Sequence, residues 1–279
     1  MREQKSGCQE IPIVSWEDFD KRMKKHKEDN WLFRGQSNAE WDLETSLGRV
    51  LNENQEIIDK TGSRKKTLQG RQRYHEVFLI KTFQENAERF RSELGFLSKP
   101  FPDFREILEW LAIMQHYEAP TRLLDVTCSP DVAVHFALYN AQTQCSVYAI
   151  NTSKLKEWNF FASEAKDYES LIFGEAEGER ERFVGWYTSK FKNERQKSQH
   201  GSFLIPSQIN EFYCLFHDYQ DFPSDYHCIK YIIPPELKLE GLVRLNQKDV
   251  TSNELFPDIG GFSRSLRFRL LGNDYSFFQ

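Results

Sequence analysis

No stretch of the 279 residues approaches the roughly 18 consecutive apolar residues that a membrane-spanning helix needs. The opening MREQKSGCQEIPI lacks the apolar centre of a secretion signal, so the expected compartment is the cytoplasm and no membrane partner is expected. Cysteine is sparse: Cys8, Cys128, Cys145, Cys214 and Cys228 are scattered and odd in number, unlike a disulfide framework. Cys214 with His217, and His227 with Cys228, have no partner at standard ligand spacing, so no metal is expected. No linker rich in proline, glycine or serine divides the chain, which predicts a single domain over residues 1–279. A net charge of -5 and a pI near 5.9 leave no excess positive charge, which argues against nucleic-acid affinity by bulk electrostatics. Also missing are the phosphate loop followed by Lys and Ser or Thr, GxGxxG, HExxH and GxSxG. Their absence disfavours an ordinary NTPase, a Rossmann dehydrogenase, a zinc protease and a serine hydrolase. A nuclease lacks acids clustered at metal-binding spacing.

What is present is concentrated in residues 104–139. Ile107, Leu108, Leu111 and Met114 recur at three and four, one face of a helix, and Pro120 stops it because the residue before a proline avoids the α region. Residues 121–127 read as a strand with Thr121, Leu123, Asp125 and Thr127 on one face and Arg122, Leu124 and Val126 on the other. Ser129, Pro130 and Asp131 then suit the cap, first turn and positive end of a second helix, apolar nearly all round apart from His135 and therefore buried. Asp125, Thr127, Cys128 and Ser129 thus lie between a strand end and a helix N-terminus, a place that suits a phosphate or ribose. Asp125 and Ser129 serve equally well as caps that tie down the loop.

Along the rest of the chain, residues 14–25 form an amphipathic helix capped by Ser15. Trp31 to Phe33 is an apolar strand that delivers Arg34 beside Gly35, where a ligand or another backbone can come close. The planar fork of Arg34 fits a phosphate or carboxylate, or a buried pair with an acid such as Asp125. Residues 41–49 continue as strand or turn. Residues 53–95 are mainly helical, with Tyr74, Phe78, Leu79, Thr82 and Phe83 at helical spacing, and the basic run 64–73 is an exposed helix end or a face for nucleic acid or an acidic partner. Residues 145–150 form a strand pairing near 121–127, residues 152–182 are acidic and irregular, and the 175–182 run is an exposed loop. A polar approach from residue 193 ends in Gln199, with Gly201 opening an apolar strand. Residues 227–233 are another strand ended by Pro234 and Pro235, which start a helix on which Leu237, Leu239 and Leu242 repeat. The tail is a loop and a closing helix bearing Arg264, Arg267 and Arg269.

Three of these pieces, in order, resemble the FRG domain family: Phe33-Arg34-Gly35-Gln36; Gln115-His116-Tyr117 with Pro120-Thr121-Arg122-Leu123-Leu124-Asp125; and Gln199-His200-Gly201-Ser202-Phe203. Leu255-Phe256-Pro257-Asp258 fits as well. The resemblance spans roughly residues 14–270, with a helical insertion at about 53–117. A more distant similarity is to the ADP-ribosyltransferase superfamily, whose triad is Arg-Ser-Glu or His-Tyr-Glu. Phe33-Arg34-Gly35 looks like its first element, and Thr127-Cys128-Ser129 with Ala133, Phe136 and Ala137 like its second. The third element carries Gln199 where those transferases use a Glu, and an amide supplies no charge to a cationic transition state. Glu194 or another acid at 175–194 is the substitute.

The expectation is therefore a single α+β domain with a mixed or antiparallel sheet, flanking helices and an ADP-ribosyltransferase-like core. Arg34, His116, Ser129 and Gln199 are its candidate catalytic residues. Arg34, Gly35, Gln36, Thr121, Asp125 and Thr127 are candidates for binding NAD. His116 is either a ribose or catalytic contact or the cationic end of its helix. The resemblance implies an NAD-dependent ADP-ribosyltransferase or NAD glycohydrolase, a bacterial toxin or anti-phage defence effector with a protein or nucleic-acid acceptor. The alternative is a non-catalytic nucleotide-sensing or protein-interaction module in a defence system.

Overall fold

The computed structural model describes residues 8–26, 31–61, 68–92, 94, 106–152, 156–157, 184–190, 194–209 and 228–269. Strand β1 (Gln9–Pro12) leads into helix α1 (Trp16–Lys25), where the Ser15 side chain accepts from the Asp18 amide and Trp16, Phe19 and Met23 are buried at helical spacing. Strand β2 (Trp31–Gln36) is followed by helices α2 (Ser46–Glu53), α3 (Gln55–Thr61), α4 (Leu68–Ala87) and α5 (Ile107–His116). Then come β3 (Leu124–Thr127), α6 (Pro130–Tyr139), β4 (Cys145–Asn151), the short β5 (Lys156–Glu157) and β6 (Val184–Tyr187). The described chain ends with α7 (Glu194–Ser198), β7 (Gly201–Pro206), β8 (Cys228–Ile233), α8 (Lys238–Gln247), α9 (Ser252–Leu255) and α10 (Ile259–Arg269).

Among the described residues the strands form one eight-stranded sheet in the order β1-β8-β4-β2-β3-β7-β6-β5. The pairs β1–β8 and β5–β6 are parallel and the others antiparallel, so the sheet is mixed, flanked by helices as expected. Alternation along β4 sends Cys145, Val147 and Ala149 into a core with α1, α6 and α8, and Tyr148 and Ile150 into a second core with Leu32, Leu43, Leu124 and Val126. A third cluster joins α5 to β7 through Leu108, Leu111, Met114, Phe203 and Ile205.

Four expectations change. The strand placed at 121–127 starts at Leu124, because the Thr121 hydroxyl accepts from the Leu123 amide and makes a local turn of the preceding residues. Residues 41–49 do not continue as strand or turn throughout: the Thr45 side chain accepts from the Gly48 amide and starts α2 at Ser46. β4 does not pair with β3, since β2 lies between them; strand-forming residues announce a strand but not its neighbour. Cys8 and Cys228 form a disulfide, although the odd cysteine count suggested none.

The 175–182 run, Cys214, His217 and most of the 152–182 stretch lie outside the described residues, as do the side chains of Arg267 and Arg269. No helix among the described residues is long and apolar enough to cross a membrane.

Candidate functional site

β2 pairs with β4 over Trp31 to Gln36, and β3 pairs with β7 over its whole length, yet β2 and β3 share one register pair, Phe33 opposite Thr127. Beyond it the two strands part. The Arg34 guanidinium takes the place of the missing ladder, its Nη1 donating to the Asp125 carbonyl at 2.7 Å. A cleft of about 1010 Å³ opens at this divergence.

Arg34, Gly35, Gln36, His116, Asp125, Thr127 and Gln199 all line the cleft, from β2, the end of α5, β3 and the turn before β7. Gly35 has a packing reason to be glycine: a Cβ there would stand 1.8 Å from the Ala133 carbonyl oxygen of α6. Of the two options its sequence context left open, a close backbone is the one the structure fills. Gln36 is buried, its Nε2 donating to the Asp42 carbonyl at 3.0 Å. Thr127 donates to the Gln199 carbonyl at 2.7 Å and so ties β3 to the turn before β7. The Gln199 amide group donates to the Leu255 carbonyl at 3.0 Å.

Thr121 and Ser129 are not part of the cleft lining. Ser129 accepts from the Val132 amide as the cap of α6. Thr121 is fully buried and acts through a neighbour: its hydroxyl donates to Gln115 Oε1 at 2.6 Å, while Gln115 Nε2 donates to Asp125 Oδ2 at 2.7 Å. This chain fixes the orientation of the Gln115 amide and aims one side of an exposed carboxylate. Glu194 is also outside the lining and ion-pairs with Lys197 at 2.7 Å.

The electrostatics of the cleft are mixed, with Arg34, Arg49 and Arg195 facing it alongside Glu40, Asp42, Glu44, Glu118 and Asp125. His116 has its pKa lowered, first by burial and then by the charge of Arg195, against the opposing pull of Asp125. Its imidazole is therefore neutral at pH 7 and able to take a proton.

Arg195 is the functional residue that reading the sequence missed. It sat in a polar run, four residues before Gln199, the spacing that puts two side chains on one helix face, and α7 brings it to the cleft.

Residues 29–145 match the model of the FRG domain family. These residues of the chain form an FRG domain. The matched segment runs from just before β2 to the start of β4, so the family region itself supplies Arg34, Gly35, Gln36, His116, Asp125 and Thr127. Gln199 and Arg195 reach the FRG cleft from beyond the matched residues. No curated protein and no solved structure matches the chain.

Proposed function

We propose that the FRG cleft binds NAD and cleaves its nicotinamide–ribose bond, making the protein an ADP-ribosyltransferase-like enzyme or NAD glycohydrolase of the kind found in bacterial toxins and anti-phage effectors. One observation carries this reading. Residues far apart in sequence, Arg34, His116, Asp125 and Gln199, converge on a cleft of about 1010 Å³, at the large end of the roughly 300–1,000 Å³ typical of small-molecule sites.

The chemistry assigns each group a task. The bond between ribose C1′ and the pyridinium nitrogen breaks heterolytically, its electron pair leaving with nicotinamide, which becomes neutral. The ribose is left as an oxocarbenium ion, and the charge that Gln199 does not supply comes from Asp125, whose carboxylate is held by Gln115. Water or an acceptor nucleophile adds to C1′, and its proton goes to neutral His116. Arg34, tied to the Asp125 carbonyl, lines the cleft and sets a fixed positive charge beside the ligand.

Incubation with NAD and quantification of free nicotinamide tests the reading. The wild type releases nicotinamide, and Asp125→Asn lowers kcat on the order of 100-fold with KM little changed, because the charge acts on the transition state. The proposal ends if calorimetry detects no binding of NAD or ADP-ribose to the wild type. A second reading, a nucleotide sensor without turnover, is favoured by one feature: the residue at the third triad position is an amide already committed to Leu255. It is the correct one if ADP-ribose binds and no nicotinamide is ever released.

A further inference from the structure

We propose that Arg195, stacked on Phe256 beside Arg264, is the group that grips the diphosphate of a nucleotide in the cleft; the identity of that nucleotide as NAD rests on the function proposed above.

The three arginines of the cleft are not equivalent. Arg34 donates to the Asp125 carbonyl, and Arg49 is exposed and donates to the Glu44 carbonyl. Arg195 is half-buried, and its guanidinium has no hydrogen bond or ion pair to any described residue. A guanidinium has five N–H donors and no way to lose its charge, so leaving it partly desolvated without acceptors is costly unless a ligand supplies them.

What holds Arg195 is an aromatic face. Its Cζ lies 4.6 Å from the centre of the Phe256 ring, and the Cζ of Arg264 lies 4.1 Å from the same centre. Phe256 is itself braced edge-on by Phe136 at 6.0 Å. Stacking fixes the plane of a guanidinium while leaving its in-plane N–H fork free to meet two oxygens of one phosphate or of adjoining phosphates. Two cations on one ring, neither in an ion pair, repel each other until an anion arrives. Burial is the largest influence on the pKa of Arg195 and lowers it; Asp125 pulls the other way, and Arg264 adds to the lowering. The remaining acids that act on it, Glu118 and Asp258, favour the cation without forming a salt bridge to it. Arg264 is outside the cleft lining and donates to the Gly260 carbonyl at 3.1 Å, so it is a positioning residue rather than a ligand contact.

The same stacked trio explains why Leu255 to Asp258 matters to a cleft it does not line. Phe256 is the platform for Arg195, and the Leu255 carbonyl holds the Gln199 amide.

The test is a set of titrations of wild type, Arg195→Ala and Arg195→Lys with inorganic pyrophosphate, ADP-ribose and nicotinamide riboside, the last lacking any phosphate. Arg195→Ala is expected to weaken pyrophosphate and ADP-ribose by roughly 10- to 100-fold while nicotinamide riboside is unchanged. Arg195→Lys, which keeps the charge and loses the fork, is expected to fall between. Phe256→Leu should weaken the two phosphate ligands by a smaller factor and again spare the riboside. Equal affinity of wild type and Arg195→Ala for both phosphate ligands overturns the inference and leaves the NAD reading standing. Arg195-dependent binding of pyrophosphate without binding of ADP-ribose or NAD keeps the anion site and removes the NAD reading. Binding of none of the three probes to the wild type removes both. If Arg195→Ala fails to fold, judged by its melting curve, Arg195→Lys decides, and wild-type affinity for pyrophosphate in that variant overturns the inference.

Discussion

His135 is the one polar side chain in the buried run of α6, and its titration governs how the protein meets acid. It is 2 % exposed, its Nε2 lies 3.2 Å from the Ser252 hydroxyl, and burial lowers its pKa from 6.5 to about 4 despite the opposing effect of the Val250 backbone. A histidine with a depressed folded pKa leaves stability intact above the unfolded value, and that stability is lost as pH falls from about 6.5 towards about 4. Between pH 7.5 and pH 5 the loss attributable to this one group is about 2 kcal/mol. Urea unfolding of wild type and His135→Gln at both pH values checks it: the wild type should lose that much more than the variant. Parallel losses would refute the assignment. Sequence alone showed that this helix is buried with His135 in it, because the apolar run was continuous around it. It could not show Ser252, which approaches from 117 residues away.

At the scale of elements, the Arg122–Glu76 pair clamps α4 to the turn before β3 and to the end of β7. Both side chains are buried; Arg122 Nε donates to Glu76 Oε1 at 2.6 Å, Nη2 donates to Oε2, and Nη1 donates to the carbonyls of Pro206 and Ser207 at 3.2 Å each. Removing one partner leaves a buried charge uncompensated, so Glu76→Leu should destabilise by about 3–5 kcal/mol in chemical denaturation. Adding Arg122→Met should restore part of that loss, since two apolar side chains fill the space without a stranded charge. A cost under about 1 kcal/mol for Glu76→Leu alone would show that the pair does not hold α4.

Arg122 packs against a helix, as expected, although it lies in the turn before β3 rather than in the strand whose alternation suggested it. The acid it meets lay 46 residues upstream among the many charges of a helix otherwise read as solvated. The cleft has the same history. His116 and Gln199 were legible because one closes a helix and the other stands at a turn; Arg34 and Asp125 because they are charged residues in otherwise apolar strands. The parting of β2 from β3 that brings them together depends on a register, and no local propensity encodes a register.

At the scale of the whole molecule, the Cys8–Cys228 disulfide closes a span of 220 residues, from just before β1 to the first residue of β8, the strand beside which β1 runs parallel. An odd cysteine count shows that the five cannot all pair within the chain, but says nothing against two of them meeting. Both sulfurs are buried, and the buried Cys145 thiol, pushed up to about 11, is a poor nucleophile for exchange. In the chain-entropy account a loop this long raises the free energy of the unfolded state by ~5 kcal/mol, and measured effects of disulfides usually run to about 2–4 kcal/mol. The paired variant Cys8→Ser with Cys228→Ser should therefore lose about 2–4 kcal/mol, and dithiothreitol should lower the Tm of the wild type but not of the variant. The cleft should be indifferent: β8 is separated from β2 by β4, so the loss falls on the unfolded chain and on the β1 edge rather than on Arg34. Unchanged ADP-ribose affinity at a lowered Tm is the expected pairing of results. A Tm that ignores the reductant would remove the bridge from the account of stability, and a weakened affinity would show that the β1–β8 edge reaches the cleft through β4.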